Sequence, residues 1–152
     1  MTITSAPRSA GIQAGPVRVG MFGLGTVGGG VARLLLERGE AIAREVGRPI
    51  ELRRVVVRDL AKARDIALPD GILSDDPSTI LDDPEIDLVV EVMGGIRPTG
   101  EWLRQAIRSG KHVVTANKDL VATEGAELLR LAASHGVDVA YEASVGGGIP
   151  LI

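Results

Sequence analysis

Apolar and polar positions follow two alternating periodicities along the first half of the chain. Val17 to Phe22 is a short β-prone run that ends at a glycine cluster. From Thr26 to Val46 apolar side chains recur at three- and four-residue spacing, which predicts one helix that stops near Gly47. Leu52 to Val57 predicts a second strand, and its fully apolar end is typical of a strand covered on both faces. A short helix is expected next, around Ala61–Ile66.

The second half of the chain continues the alternation of strand and helix. Its expected elements are, in order, a weak strand near Ile72–Leu73, a helical turn at Pro77–Leu81, a strand at Ile86–Val92, a helix at Thr99–Ser109 closed by Gly110, a strand at His112–Thr115, a helix capped by Thr123 and ended by Gly136, and a strand at Val137–Tyr141. Strands that alternate with helices predict an α/β fold. We therefore expect a Rossmann-type, doubly wound, mostly parallel sheet with helices on both faces.

Composition and charge narrow the class of protein. The formal net charge of −3 gives no electrostatic footprint for nucleic acid or an anionic membrane. The absence of cysteine excludes disulfides and thiolate chemistry and fits the cytoplasm. No apolar run is long enough to span a membrane. Residues 1–16, rich in Ser, Ala, Gly and Pro, are expected to form a flexible tail, and residues 17–152 the folded domain.

The glycine cluster carries the clearest candidate chemistry. Gly23-Leu24-Gly25-Thr26-Val27-Gly28 matches G-x-G-x-x-G between a predicted strand and a predicted helix, the context that a dinucleotide fingerprint requires. Gly23 permits the tight turn, Gly25 lets backbone approach a pyrophosphate, and Gly28 lets helix and strand pack closely. The helix N-terminus then offers unpaired N–H groups to the phosphates. The alternative interpretation is a glycine-rich turn selected only for packing.

The end of the second predicted strand indicates which dinucleotide binds. Arg58 stands where a guanidinium can clasp a 2′-phosphate with two hydrogen bonds. Asp59 follows directly and can accept from a ribose hydroxyl instead. NADP is therefore favoured and NAD stays possible, whereas the competing interpretation of Arg58 is a solvated surface arginine.

Four segments, in this order along the chain, resemble homoserine dehydrogenase. They are Gly20–Val31 (GMFGLGTVGGGV), Glu91–Gly95 (EVMGG), Val114–Lys118 (VTANK) and Glu142–Pro150 (EASVGGGIP). The resemblance implies NAD(P)-dependent interconversion of L-homoserine and L-aspartate 4-semialdehyde, on the route to threonine, methionine and isoleucine. It also implies a homo-oligomeric full-length protein.

The resemblance assigns cofactor contacts to residues of each matching segment. These residues are Gly23, Leu24, Gly25, Thr26, Val27 and Gly28 around the cofactor, Arg58 at the adenosine phosphate, Gly94 and Gly95 at its central portion, and Lys118 beside nicotinamide and substrate. Lys118 is also one of only three lysines, and a cation at a helix start opposes the helix dipole, which favours a functional reason for it. The plain alternative is an exposed lysine that begins a helix. Glu91, His112 and His135 are less favoured as site residues.

A cation site and a substrate domain complete the picture that the resemblance implies. Glu142, with the loop that includes Val145, Gly147 and Ile149, resembles a monovalent-cation site for an ion such as sodium, whereas its residues alone indicate a domain hinge. The general acid–base and the substrate domain are expected after Ile152. Two further readings stay open: a stand-alone dinucleotide-sensing module, and a related reductase of another small semialdehyde or keto acid.

Overall fold

Strands and helices alternate through the structure, a computed structural model that describes residues 15–141. The strands are β1 (Val17–Phe22), β2 (Ile50–Val56), β3 (Leu73–Ser74), β4 (Leu88–Glu91), β5 (His112–Thr115) and β6 (Val139–Ala140). The helices are α1 (Thr26–Glu37), α2 (Gly39–Val46), α3 (Ser78–Leu81), α4 (Thr99–Arg108) and α5 (Lys118–His135). The sequence-based assignment of every strand is confirmed, with ends shifted by a few residues.

The strands form one sheet in the order β3-β2-β1-β4-β5-β6, and every pairing within the described residues is parallel. The order reverses between β1 and β4, because β2 and β3 extend to one side of β1 and β4 to β6 to the other. In doubly wound sheets the ligand crevice lies outside the carboxyl ends of the strands at this switch point. The expected Rossmann-type architecture is confirmed, and it places the end of β1 at the centre of the crevice.

Two hydrophobic clusters cover the two faces of the sheet. One contains Phe22 and the buried side chains of α3, α4 and α5, and the ring of Phe22 stacks on Trp102 with centroids 5.0 Å apart. The other contains Val19 and Met21 with Ala32 of α1. Both faces of β1 are therefore buried, as the apolar strands indicate. Within the described range no helix is long and apolar enough to cross a membrane.

Three expectations about local structure are wrong. The predicted helix over Thr26–Val46 is two helices, because Arg38 leaves the helical region (φ −119°, ψ 16°) and Gly39, a poor helix former, starts α2. Residues 61–66 form no helix, since the Arg64 guanidinium instead donates to the carbonyls of Asp59 and Lys62 and holds an irregular loop.

The third correction concerns the start of α5. Its cap is Asn117, whose Oδ1 accepts from Leu120 N at 3.1 Å, and Thr123 lies inside the helix with its hydroxyl donating to Asp119 O. The helix therefore begins six residues earlier than its apolar spacing indicates, and Lys118 is its first residue. Of the predicted tail, residues 1–14 lie outside the described residues, whereas Gly15 O accepts two hydrogen bonds from Arg48.

Candidate functional site

The fingerprint turn between β1 and α1 leaves almost no room around two of its glycines. Gly23 has φ +100°, and a Cβ on it would lie 2.9 Å from Met93 N. A Cβ on Gly28 would lie 2.4 Å from Gly23 O, well inside contact distance. Gly23 N also donates to Val56 O at 2.9 Å, which fixes the turn to β2. These two glycines are therefore explained by backbone conformation and packing within the domain.

Gly25 lies in a different environment, because a Cβ on it would meet no described atom within 4 Å. Packing inside the domain therefore does not account for the glycine at this position. Gly25 caps α1 without any side-chain hydrogen bond, and the first turn of α1 carries no acidic residue. Leu24 is buried beneath the turn, whereas Thr26 and Val27 are exposed on it. Unpaired N–H groups at an open helix N-terminus fit the phosphates of a dinucleotide.

The loop after β4 lies directly against this turn. Gly94 and Gly95 both adopt the left-handed conformation, with φ +75° and +78°. Met93, the residue before them, is the neighbour that a side chain on Gly23 would strike. The two glycine segments that the sequence analysis singles out are thus brought together at the switch point of the sheet.

Arg58 and Asp59, which follow the end of β2, lie at the same edge of the sheet. Arg58 follows the buried Val57 and is exposed, and no described residue forms a hydrogen bond or ion pair with its guanidinium. The Asp59 side chain is already engaged, since its Oδ1 accepts from Ala61 N at 2.9 Å. The Arg58 guanidinium is thus free of partners among the described residues, whereas Asp59 is partly engaged.

Comparison with known proteins gives this geometry a family. A model of the homoserine dehydrogenase NAD-binding domain matches residues 23–142, most of the chain. The chain belongs to the homoserine dehydrogenase family. It is 46% identical over 136 residues to homoserine dehydrogenase of Bacillus subtilis, a match that covers 90% of this chain and 31% of the relative. The family assignment favours the interpretation as a homoserine dehydrogenase domain over a stand-alone sensor or a reductase of another substrate.

Solved structures of the family share the fold. A homoserine dehydrogenase from Thiobacillus denitrificans superposes with a TM-score of 0.82 at 50% identity, over 90% of this chain and 31% of that one. A hyperthermophilic archaeal homoserine dehydrogenase in complex with NADPH superposes with a TM-score of 0.67 over 90% of this chain and 46% of that one. At 22% identity, the second likeness concerns the fold alone. The chain spans about a third of the length of the Bacillus subtilis and Thiobacillus denitrificans relatives.

Within this homoserine dehydrogenase domain, Lys118 is exposed at the first position of α5. No described residue pairs with its ammonium. Asn117, directly before it, donates from Nδ2 to Gly95 O at 2.6 Å. Lys118 is therefore tied through its neighbour to the loop after β4, at the edge of the sheet that carries the fingerprint.

Sequence reasoning undervalued Glu91, the last residue of β4. Its side chain is completely buried, and its carboxylate accepts from Met93 N and Gly94 N, both at 2.9 Å. It also accepts from the Thr115 hydroxyl at 2.5 Å. The available signal was an acidic residue in an otherwise apolar strand, because buried carboxylates persist only where they are hydrogen-bonded.

The predicted cation ligands Glu142, Val145, Gly147 and Ile149 lie outside the described residues. Within residues 15–141 no cluster of three or more His, Cys, Asp or Glu side chains could hold a metal ion.

Two groups with shifted pKa values lie away from the fingerprint edge. Burial lowers the pKa of Lys111, which precedes β5 at the opposite edge and donates from Nζ to Asp83 O at 2.6 Å. On the outer surface of α4 and α5, the hydrogen bond from Arg104 lowers the pKa of Glu127. Both groups stabilise the scaffold and do not face the site.

Proposed function

We propose that this chain is the cofactor-binding part of an enzyme that interconverts L-homoserine and L-aspartate 4-semialdehyde with NADP(H). The observation that carries the proposal is the open turn at Gly25, beside an uncapped helix N-terminus and two left-handed glycines, in a member of the homoserine dehydrogenase family. Packing among the described residues does not require a glycine at position 25.

The residues around the turn fit a dinucleotide. Backbone N–H groups of Thr26, Val27 and Gly28 are available to the pyrophosphate at the positive end of the α1 dipole. The loop of Gly94 and Gly95 would face the central portion of the cofactor. This arrangement needs no side chain at the turn, which is why the contacting residues there are glycines or act through their backbone.

Arg58 supports the preference for NADP over NAD. Its exposed guanidinium can donate two parallel hydrogen bonds to a 2′-phosphate. Asp59, which would favour a free ribose hydroxyl, is held in its own turn by Ala61 N.

Lys118 is the candidate that faces the reaction. When bound, the nicotinamide supplies hydride transfer at the carbon that carries the hydroxyl or aldehyde. The Lys118 ammonium would hold a substrate carboxylate or stabilise negative charge on the carbonyl oxygen. We infer that the general acid–base and the substrate pocket belong to the two-thirds of the relatives that this chain does not match, so that the chain alone binds cofactor without turnover.

The wider assignment follows from the same family. We place the reaction in cytoplasmic biosynthesis of threonine, methionine and isoleucine, by a homo-oligomeric full-length protein. A monovalent cation at Glu142, Val145, Gly147 and Ile149 stays a prediction.

Titration calorimetry of the chain with NADPH and NADH tests the cofactor assignment. We expect tighter binding of NADPH. Arg58→Ala should narrow the difference by about 1.5–3 kcal/mol, the range for hydrogen bonds to charged groups, or roughly tenfold to a hundredfold in relative affinity. Arg130→Ala, which removes an exposed arginine on α5, is the matched control and should leave the difference unchanged. Equal affinities of the unaltered chain for the two cofactors would contradict the NADP preference.

A further inference from the structure

The buried carboxylate of Glu91 is the centre of a closed hydrogen-bonded network. One oxygen, Oε1, accepts from the amides of Met93 and Gly94, and Oε2 accepts from the Thr115 hydroxyl. Thr115 Oγ1 in turn accepts from Asn117 N at 3.1 Å. The Asn117 side chain closes the circuit, because its Nδ2 donates to Gly95 O at 2.6 Å.

The network joins the loop after β4 to the start of α5. The loop of residues 93–95 follows β4, and Asn117 precedes α5, which begins with Lys118. Glu91, Thr115 and Asn117 are all buried, so water does not compete for these bonds. Thr99 adds a further bond from its hydroxyl to Gly94 O at 3.0 Å. The glycine loop is thus held from both of its ends by side chains of three different elements.

The backbone pairing of the two segments is set by other contacts. Strands β4 and β5 are already paired in register from Leu88 to Glu91, and Ala116 N donates to Glu91 O at 3.1 Å. The α5 cap needs only Asn117 Oδ1, which accepts from Leu120 N. Three further hydrogen bonds act on residues 93–95: the amides of Met93 and Gly94 donate to Glu91 Oε1, and Asn117 Nδ2 donates to Gly95 O.

We propose that Glu91, Thr115 and Asn117 are positioning residues, which hold the Gly94–Gly95 loop and the Lys118 end of α5 in one fixed arrangement for the cofactor. The proposal rests on the proposed function, because it takes the cofactor to bind along this edge. None of the three residues touches the cofactor in this account. They act by presetting the backbone that does, so that binding needs no ordering of the loop.

Two substitutions separate positioning from simple stabilisation. Asn117→Ser keeps an oxygen that can cap α5 but removes the donor to Gly95 O. Thr115→Val keeps the shape of the side chain but removes the hydroxyl that links Glu91 to Asn117, and Thr115→Ser restores that hydroxyl. Ile107→Val, in the core of α4, is the matched control for lost stability, since Ile107 is buried but takes no part in the network.

The test measures NADPH affinity by calorimetry, thermal unfolding, and hydrogen exchange at the amides of Met93 and Gly94. We expect Asn117→Ser and Thr115→Val each to weaken NADPH binding by roughly fivefold to tenfold, the effect of one hydrogen bond, and to speed exchange at the two amides. Thr115→Ser should recover most of the lost affinity. Ile107→Val should lower the melting temperature with the dissociation constant unchanged.

Variants with a lower melting temperature that bind NADPH as tightly as the unaltered chain would overturn the proposal. The network would then contribute to stability alone. If Thr115→Val does not fold, Asn117→Ser decides alone. A failure of the proposed function looks different, because the unaltered chain would then bind neither NADPH nor NADH, and the positioning proposal would fall with it.

Discussion

Gly25 and Gly28 stand three residues apart in one turn, yet alanine at the two positions should have opposite effects on the stability of the domain. Gly25 has φ −84° and ψ −153°, a backbone conformation open to alanine, and its Cβ would meet no described atom within 4 Å. Replacing glycine by alanine at such a site restricts the unfolded chain and stabilises by about 0.4–1 kcal/mol. Gly25→Ala should therefore fold at least as well as the unaltered chain.

Cofactor binding by Gly25→Ala should nevertheless collapse. The new methyl group would occupy the space through which a pyrophosphate reaches the first-turn amides of α1. Loss of two charge-assisted hydrogen bonds, at about 1.5–3 kcal/mol each, amounts to about 3–6 kcal/mol. This corresponds to roughly two to four orders of magnitude in the dissociation constant.

Gly28→Ala should instead damage the domain. Its Cβ would lie 2.4 Å from Gly23 O, whereas ordinary contacts begin at 3.4 Å. The start of α1 would have to move away from the turn by about 1 Å, and overpacking of this kind costs about 1–3 kcal/mol. We expect a lower unfolding free energy, with cofactor binding weakened as a consequence of the displaced helix.

Urea unfolding and calorimetric titration of NADPH on both variants test this reasoning. Gly39→Ala, at an equally open position on α2, is the control and should bind normally. A Gly25→Ala chain with unchanged NADPH affinity would refute the assignment of this space to the cofactor. A Gly28→Ala chain of unchanged stability would refute the packing role of that glycine.

Three further outcomes follow from other parts of the domain. In the full-length enzyme, Lys118→Ala should lower kcat by about 10²- to 10³-fold while stability changes by no more than about 0.5 kcal/mol, and near-normal turnover in steady-state kinetics would remove Lys118 from the site. Burial alone would raise the pKa of Asp83, but hydrogen bonds from Arg53 and from a backbone amide outweigh it and lower the pKa below its usual 3.8. The stability that this carboxylate contributes is therefore present above about pH 4 and is lost as pH falls through the lowered pKa. In urea unfolding between about pH 5 and 2, Arg53→Met should lose less unfolding free energy than the unaltered chain. An identical loss would count against a contribution of the Arg53–Asp83 pair. Arg104→Met should lower the free energy of urea unfolding by about 1–3 kcal/mol, because it removes the ion-pair partner of the largely buried Glu124. An unchanged unfolding free energy would show that the Arg104–Glu124 ion pair contributes nothing to stability.

The fingerprint turn was predictable from sequence because its signals are local. Strand, glycine spacing and helix follow one another within a few residues. Inside that unit, Gly23 is favoured by its φ of +100° and Gly28 by its close approach to Gly23 O. The switch point followed from the alternation of strands and helices. The fold, and the edge of the sheet that carries the fingerprint, could therefore be predicted from the sequence.

The parts that sequence reasoning missed depend on contacts between distant segments. The role of Glu91 arises because β5 lies beside β4 and places the Thr115 hydroxyl 2.5 Å from Glu91 Oε2. The loop around residues 61–66 escapes helix because the Arg64 guanidinium binds two carbonyls across it. The α5 start did carry a local signal, since Asn117 precedes a first turn with an acidic residue, but the apolar spacing that begins after Thr123 outweighed it.

Amide chemical shifts of the isotope-labelled chain during titration with NADP⁺ would test the location of the cofactor most directly. The account predicts saturable shifts that share one dissociation constant at residues 23–28, at Gly94 and Gly95, and next to Arg58 and Lys118. Saturable shifts confined to residues elsewhere, such as those of α2, or an absence of saturation, would contradict it.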